Sequence, residues 1–241
     1  MATFFTSDKD EQFFTPFGPG MAKLKLSDTY VNKMNDIIEG LPGMDAPLKD
    51  FSDNLVGKVD EELLFDDTMK EMFLQETREL ISKYAGWMEI RNSMGARTMD
   101  SSKNRYGIQF VAGWVVRQRE GQYNPLHIHT GCKLSCVGYL SMPEGIDKEF
   151  EEDYKDHHPS HGHIQFCHGT PSHWSATNFM IKPEVGDFYL FPSDLFHCVY
   201  PFYTKGERRS FSVNLNFLEM PKHVGDKDNE TGTWCREYSI Q

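Results

Sequence analysis

From about residue 104 to 217 the chain is a succession of short β-rich runs. Tyr106–Arg117 (YGIQFVAGWVVR) comes first, followed by Lys133–Met142, His163–His168, Asp187–Phe191, Phe196–Phe202 and Arg208–Phe217, separated by Pro, Gly and Asp. No helical periodicity lies between them. Parallel strands need crossover helices, so this pattern predicts an antiparallel sandwich or barrel. The preceding sequence is different. Residues 1–26 read as an extended lead-in ending in a short strand. Ser27 or Asp28 then caps a helix with Val31, Met34, Ile37, Ile38 and Leu41 on one face, stopped by the Leu41-Pro42-Gly43 turn. A second helix is expected from about Asp60 to Tyr84, with Leu64, Met69, Met72, Phe73, Leu80, Ile81 and Tyr84 on a broad apolar face.

The last strand decides how the two parts meet. Arg208, Ser210, Ser212, Asn214 and Asn216 alternate with Arg209, Phe211, Val213, Leu215 and Phe217, so one face is polar and the other apolar. In an ordinary sandwich the polar row faces water. Here two amphipathic helices need an apolar surface to cover, which favours a barrel with a wet lumen and helices packed outside. Arg208 and Ser210 then point inward and Arg209 points out.

His127-Ile128-His129 follows an Asn124-Pro125 turn, and His197 follows a Phe191-Pro192-Ser193-Asp194 turn. Histidines at i and i+2 on a strand share a face ~6.6 Å apart. A third on a neighbouring strand can complete one side of a metal's coordination shell, and neutral imidazole suits Fe, Zn, Cu or Ni. Arg208 can hold an acid bound to such a metal. Asp187 and Asp194 are candidates to orient His197, and the His-rich stretch 157–173 reads as a solvated loop or a lid. Trp114 and Trp174 read as packing residues.

Composition excludes several classes. A formal charge of −11 without a basic run disfavours nucleic acid. No apolar run approaches the ~20 residues that span a bilayer, so no membrane partner is expected and the location expected is cytoplasmic. The five cysteines form no CxxC pair and fit reduced thiols.

The segments HIHTGCKLSCVGYL, GDFYLFPSDLFHCVYPF and GERRSFSVNLNF resemble the iron(II)/2-oxoglutarate-dependent dioxygenases, closest to a prolyl-hydroxylase-like branch of bacteria and phages. In a phage-encoded member the location is the host cytoplasm. The resemblance covers about residues 106–217 and implies a double-stranded β-helix, or jelly roll, with helices on one face. It implies one structural domain: an N-terminal extension with supporting helices (1–103), a metal-binding core (104–220) and a C-terminal extension (221–241). It places the metal on His127, His129 and His197, and the far carboxylate of 2-oxoglutarate on Arg208, Ser210 and Tyr139. The cofactors implied are Fe(II), 2-oxoglutarate and O2. The reaction implied is hydroxylation of a small-molecule or peptidyl substrate, with release of succinate and CO2.

One position departs from the family pattern. His129 stands where an acid is usual, giving three histidines in place of two histidines and a carboxylate. A zinc-dependent hydrolase or lyase and a non-catalytic jelly-roll binding protein are the alternatives at this stage.

Overall fold

The computed structural model describes residues 3–5, 12–14, 18–40, 48–93, 104–151 and 160–221. In chain order its elements are β1 (Thr3–Phe5), β2 (Gln12–Phe14), β3 (Met21–Lys25), α1 (Asp28–Gly40), β4 (Glu62–Leu64), α2 (Asp67–Ser93), β5 (Asn104–Arg119) and β6 (Asn124–His127). They continue with β7 (Leu134–Ser141), α3 (Ile146–Glu151), β8 (Ile164–Cys167), β9 (Asn178–Ile181), β10 (Asp187–Pro192), β11 (Phe196–Val199) and β12 (Glu207–Pro221). The strands form an eight-stranded sheet ordered β1-β2-β3-β10-β7-β12-β5-β4 and a four-stranded sheet ordered β6-β11-β8-β9. Neighbouring strands pair antiparallel throughout both sheets.

Alternation along the strands separates two cores. On the outer face of the large sheet, Leu134, Cys136 and Leu140 of β7 and Phe211, Val213 and Leu215 of β12 bury against Val31, Met34 and Ile38 of α1 and Met69, Phe73 and Ile81 of α2. On the inner face, Val137, Tyr139, Tyr189 and Phe191 meet Ile164, Phe166 and Ile181 of the small sheet. Gly138 lets the outer layer close, because a Cβ there would lie 2.3 Å from the Phe211 ring.

The starts of α1 and α2 are capped. The Tyr30 amide donates to Ser27 Oγ (3.1 Å), which settles the choice between Ser27 and Asp28. The Met69 amide donates to Asp66 Oδ1 (2.8 Å). The second helix therefore starts later than the periodicity predicts, at Asp67, and runs on to Ser93. Residues 62–64 become a strand instead, because the edge of β5 offers them a ladder (Glu62↔Val116, Leu64↔Trp114). Asn124 and Pro125, expected as a turn, instead begin β6, which pairs with β11. Strand β9 and helix α3 are also additions to the expected pattern, and the strand expected over 196–202 ends at Val199. None of the helices among the described residues is long and apolar enough to cross a membrane.

Candidate metal and co-substrate site

His127 ends β6 and His197 lies on β11 as its direct antiparallel partner. His129 follows two residues later, its backbone amide donating to Ser193 O at 2.9 Å. The ring centroids are 4.3 Å (His127–His197), 5.0 Å (His129–His197) and 5.4 Å (His127–His129) apart. One nitrogen from each ring lies within 4.8 Å of the other two, and no carboxylate joins this cluster among the described residues.

The hydrogen bonds fix which nitrogen is free. His127 Nδ1 faces Pro125 O at 2.7 Å and His197 Nδ1 faces Leu195 O at 2.9 Å. A carbonyl only accepts, so each Nδ1 carries the proton and each Nε2 keeps its lone pair. His129 Nδ1 faces Asn214 Oδ1 at 2.6 Å and Ser135 Oγ at 3.0 Å, while Ser135 Oγ donates to the same Asn214 oxygen at 2.8 Å. Burial pushes all three imidazole pKa values down, His129 to about 4. The neutral ring, the form that binds a metal, is therefore the resting form at neutral pH.

Arg208 and Ser210 lie on the inner face of β12, and Tyr139 on β7 is the register partner of Ser210. Arg208 is 2% exposed, and no carboxylate pairs with it among the described residues. Its Nη1 donates to Gly162 O (2.6 Å) and its Nη2 to Gln118 Oε1, leaving Nε without a partner. The guanidinium carbon lies 5.9 Å from the Tyr139 ring centre and 5.7 Å from that of Phe202. Burial lowers the Arg208 pKa and raises that of Tyr139 to about 12, so the tyrosine stays a neutral donor. A buried arginine without an acid is costly, and an incoming carboxylate relieves it by accepting from the planar fork.

One cavity of about 500 Å³ joins the two groups. His127, His129, His197, Tyr139, Arg208, Ser210, Ser212 and Asn214 all line it. The alternation on β12 thus sorts as the sequence suggests, and Arg209 turns the other way to bond Asn35 of α1 at 2.9 Å.

Other expectations are corrected. Asp187 sits among Lys23 (3.0 Å), Lys25 (3.3 Å) and the Tyr189 hydroxyl (3.0 Å), so it ties β3 to β10 and does not orient His197. Asp194 is exposed; the Leu195 carbonyl takes the place expected of either acid. Trp174 is fully exposed at a backbone φ of 67°, whereas Trp114 is buried. His163 is half-buried and His168 exposed, and neither lines the cavity. His157, His158 and Cys235 lie outside the described residues, and Cys132, Cys136, Cys167 and Cys198 are free thiols. Sequence reasoning missed Gln118, Asn214 and Ser135. Their signal was parity, since Gln118 falls in step with Trp114 and Val116, and Asn214 with Arg208 and Ser210.

A family model described as "Putative 2OG-Fe(II) oxygenase" matches residues 112–214. The β core of this chain is thus similar to the 2OG-Fe(II) oxygenase family over these residues. That family uses iron(II), 2-oxoglutarate and O2. Among solved structures, the fold is similar to that of SnoN, a non-heme α-ketoglutarate-dependent epimerase of nogalamycin biosynthesis. That match has 14% identity and a TM-score of 0.52, covering 92% of this chain and 88% of that one. SnoK, a carbocyclase of the same biosynthesis, aligns at 11% identity and TM-score 0.50 over 82% of this chain and 79% of that one. A Pseudomonas putida prolyl-4-hydroxylase aligns at 14% identity and TM-score 0.49 over 81% and 91%. At these identities the likeness shows the fold, the double-stranded β-helix. No curated protein sequence matches the chain.

Proposed function

We propose that this chain is a 2OG-Fe(II) oxygenase acting as a hydroxylase, with 104–220 as its catalytic core, His127, His129 and His197 holding the iron, and Arg208, Ser210 and Tyr139 holding the far carboxylate of 2-oxoglutarate. The observation that carries the reading is the pairing of two unmet needs in one cavity. Three imidazoles point free Nε2 atoms at one another, and a buried arginine lacks an acid.

When bound, iron with 2-oxoglutarate and O2 supplies the oxidising power, and succinate and CO2 leave. The chain's residues do the rest. Backbone carbonyls lock two of the three rings in the tautomer a metal needs, and Asn214 with Ser135 locks the third. Gln118 and Gly162 hold the guanidinium, so its unspent N–H meets the co-substrate without reorganisation. Phe166 and Phe191, 5.8 and 5.0 Å from the His197 ring, shield that ligand from water. The substrate class is a peptidyl or amino-acid side chain, a reading supported by the prolyl-hydroxylase-like pattern of the core motifs.

Anaerobic reconstitution with Fe(II) and 2-oxoglutarate tests the reading. A metal-to-ligand charge-transfer band should appear with the native protein and be lost at the same 2-oxoglutarate concentration in Arg208→Ala. Losing one charge-assisted fork weakens co-substrate binding about tenfold or more. Tight zinc retention with no such band in the native protein would sink it.

A further inference from the structure

Glu62 is a carboxylate without an evident structural task. It lies on β4, 3% exposed, and lines the same cavity as the three histidines. Its backbone is fully used, because its amide donates to Ser52 Oγ (3.1 Å) and its carbonyl accepts from the Phe51 amide (2.8 Å). Its side chain has no hydrogen bond or ion pair among the described residues. The contrast with its neighbour is informative: Glu61 points to the opposite face and meets Arg117 at 2.6 Å.

The register locates this carboxylate. Tyr139, Ser210, Val116 and Glu62 are successive partners across β7, β12, β5 and β4. Glu62 therefore stands two strand spacings, ~10 Å, from Ser210 and away from Tyr139. Trp114 lies between it and the metal side, its ring 5.6 Å from that of His129 and 5.8 Å from that of Phe51. Phe51, Leu55, Trp114 and Val116 surround this end of the cavity with apolar surface. It is thus set apart from the residues suited to 2-oxoglutarate, separated from His129 by Trp114, and open to a second molecule.

An isolated carboxylate in such a wall is unfavourable unless a ligand satisfies it. Desolvation, reinforced by the nearby Asp50 carboxylate, raises its pKa to about 7. A buried carboxylate at one end of a pocket, with aromatic faces beside it and the exposed Asp50 carboxylate nearby, favours a cation. We infer that Glu62 is a specificity-determining residue that receives a protonated amine of the primary substrate, whose aliphatic stem lies along Phe51, Leu55 and Trp114. The inference rests on the reading of this cavity as the active site and narrows its substrate to a side chain or small molecule bearing an ammonium group.

The test uses two probes, Nα-acetyl-lysine methylamide and its Nε-acetylated, neutral counterpart. Binding to the metal-free full chain is followed by Trp fluorescence and calorimetry at pH 8, where both the amine and Glu62 are charged. The native protein should bind the cationic probe about tenfold or more tighter than the neutral one, and Glu62→Gln should erase that preference while its melting curve confirms the fold. Equal binding of the two probes, binding of neither, or a preference that survives in Glu62→Gln overturns the inference. Because these measurements need no iron, the outcome is separate from the charge-transfer test. An absent band with the amine preference intact refutes the hydroxylase reading, and a band without the preference refutes only the role of Glu62.

Discussion

Asn214 shows what a single residue contributes when an acid is missing from a proposed metal site. Its side-chain oxygen takes bonds from both His129 Nδ1 and Ser135 Oγ, so the third ring is oriented by a neutral amide. The set of three neutral imidazoles presents no negative charge to a metal, and its affinity must come from orientation. Asn214→Leu should therefore weaken metal binding about tenfold to a hundredfold, the usual cost of losing a hydrogen bond that orients a ligand. Competition between the protein and a chelator for Fe(II) or Co(II) measures it, and an unchanged affinity would show that Ser135 alone holds the ring. The cluster of His127, His129 and His197 was legible in the sequence because spacing and parity expose it. Their orienting partners Pro125 and Leu195 were not, because a backbone carbonyl has no sequence signature.

At the scale of elements, what was legible followed periodicity, and what was missed followed pairing. The period-two alternation of β12 assigned Arg208 inward and Arg209 outward, and the apolar stripe of α1 placed that helix. The start of α2 was misplaced because Leu64 fits a helical stripe as well as a strand. What decides the matter is a non-local ladder to Val116 and Trp114, together with the Asp66 cap. The same pairing carries Glu62 into the cavity, so the missed strand was also the missed site residue. The helix layer depends in turn on a close approach at β7. Gly138→Ala would drive a Cβ to within 2.4 Å of the Phe211 ring atoms, and Phe211 packs edge-on against Phe73 at 5.8 Å. The substitution should cost about 1–3 kcal/mol by overpacking, read as a lower urea midpoint with an unchanged slope. No loss would mean that the helix layer shifts freely on the sheet.

For the whole molecule, the cavity sets how stability responds to pH. The three ligand imidazoles have folded pKa values below their ordinary 6.5, His129 at about 4. Their contribution is fully present above 6.5 and is lost as pH falls through that value, because the unfolded chain takes up protons first. Glu62 has the opposite sign. Its folded pKa of about 7 lies above the ordinary 4.5, so its contribution is present below 4.5 and lost as pH rises towards 7. Between pH 5 and 6.5 three groups oppose one, and the metal-free protein should have a lower urea midpoint at pH 5 than at pH 7.5. Glu149 and Glu207, both held below 4.5 by their hydrogen-bonding partners, act mainly in more acid solution, whereas His163, outside the cavity and also lowered by burial, adds to the loss in this window. Glu62→Gln should steepen the dependence, gaining more at pH 7.5, where the native carboxylate is ionised in the fold, than at pH 5. A midpoint that rises towards pH 5, or a slope indifferent to Glu62→Gln, would mean that the cavity admits enough water to relax these groups. The dry, preorganised pocket on which both the metal site and the amine site depend would then be absent.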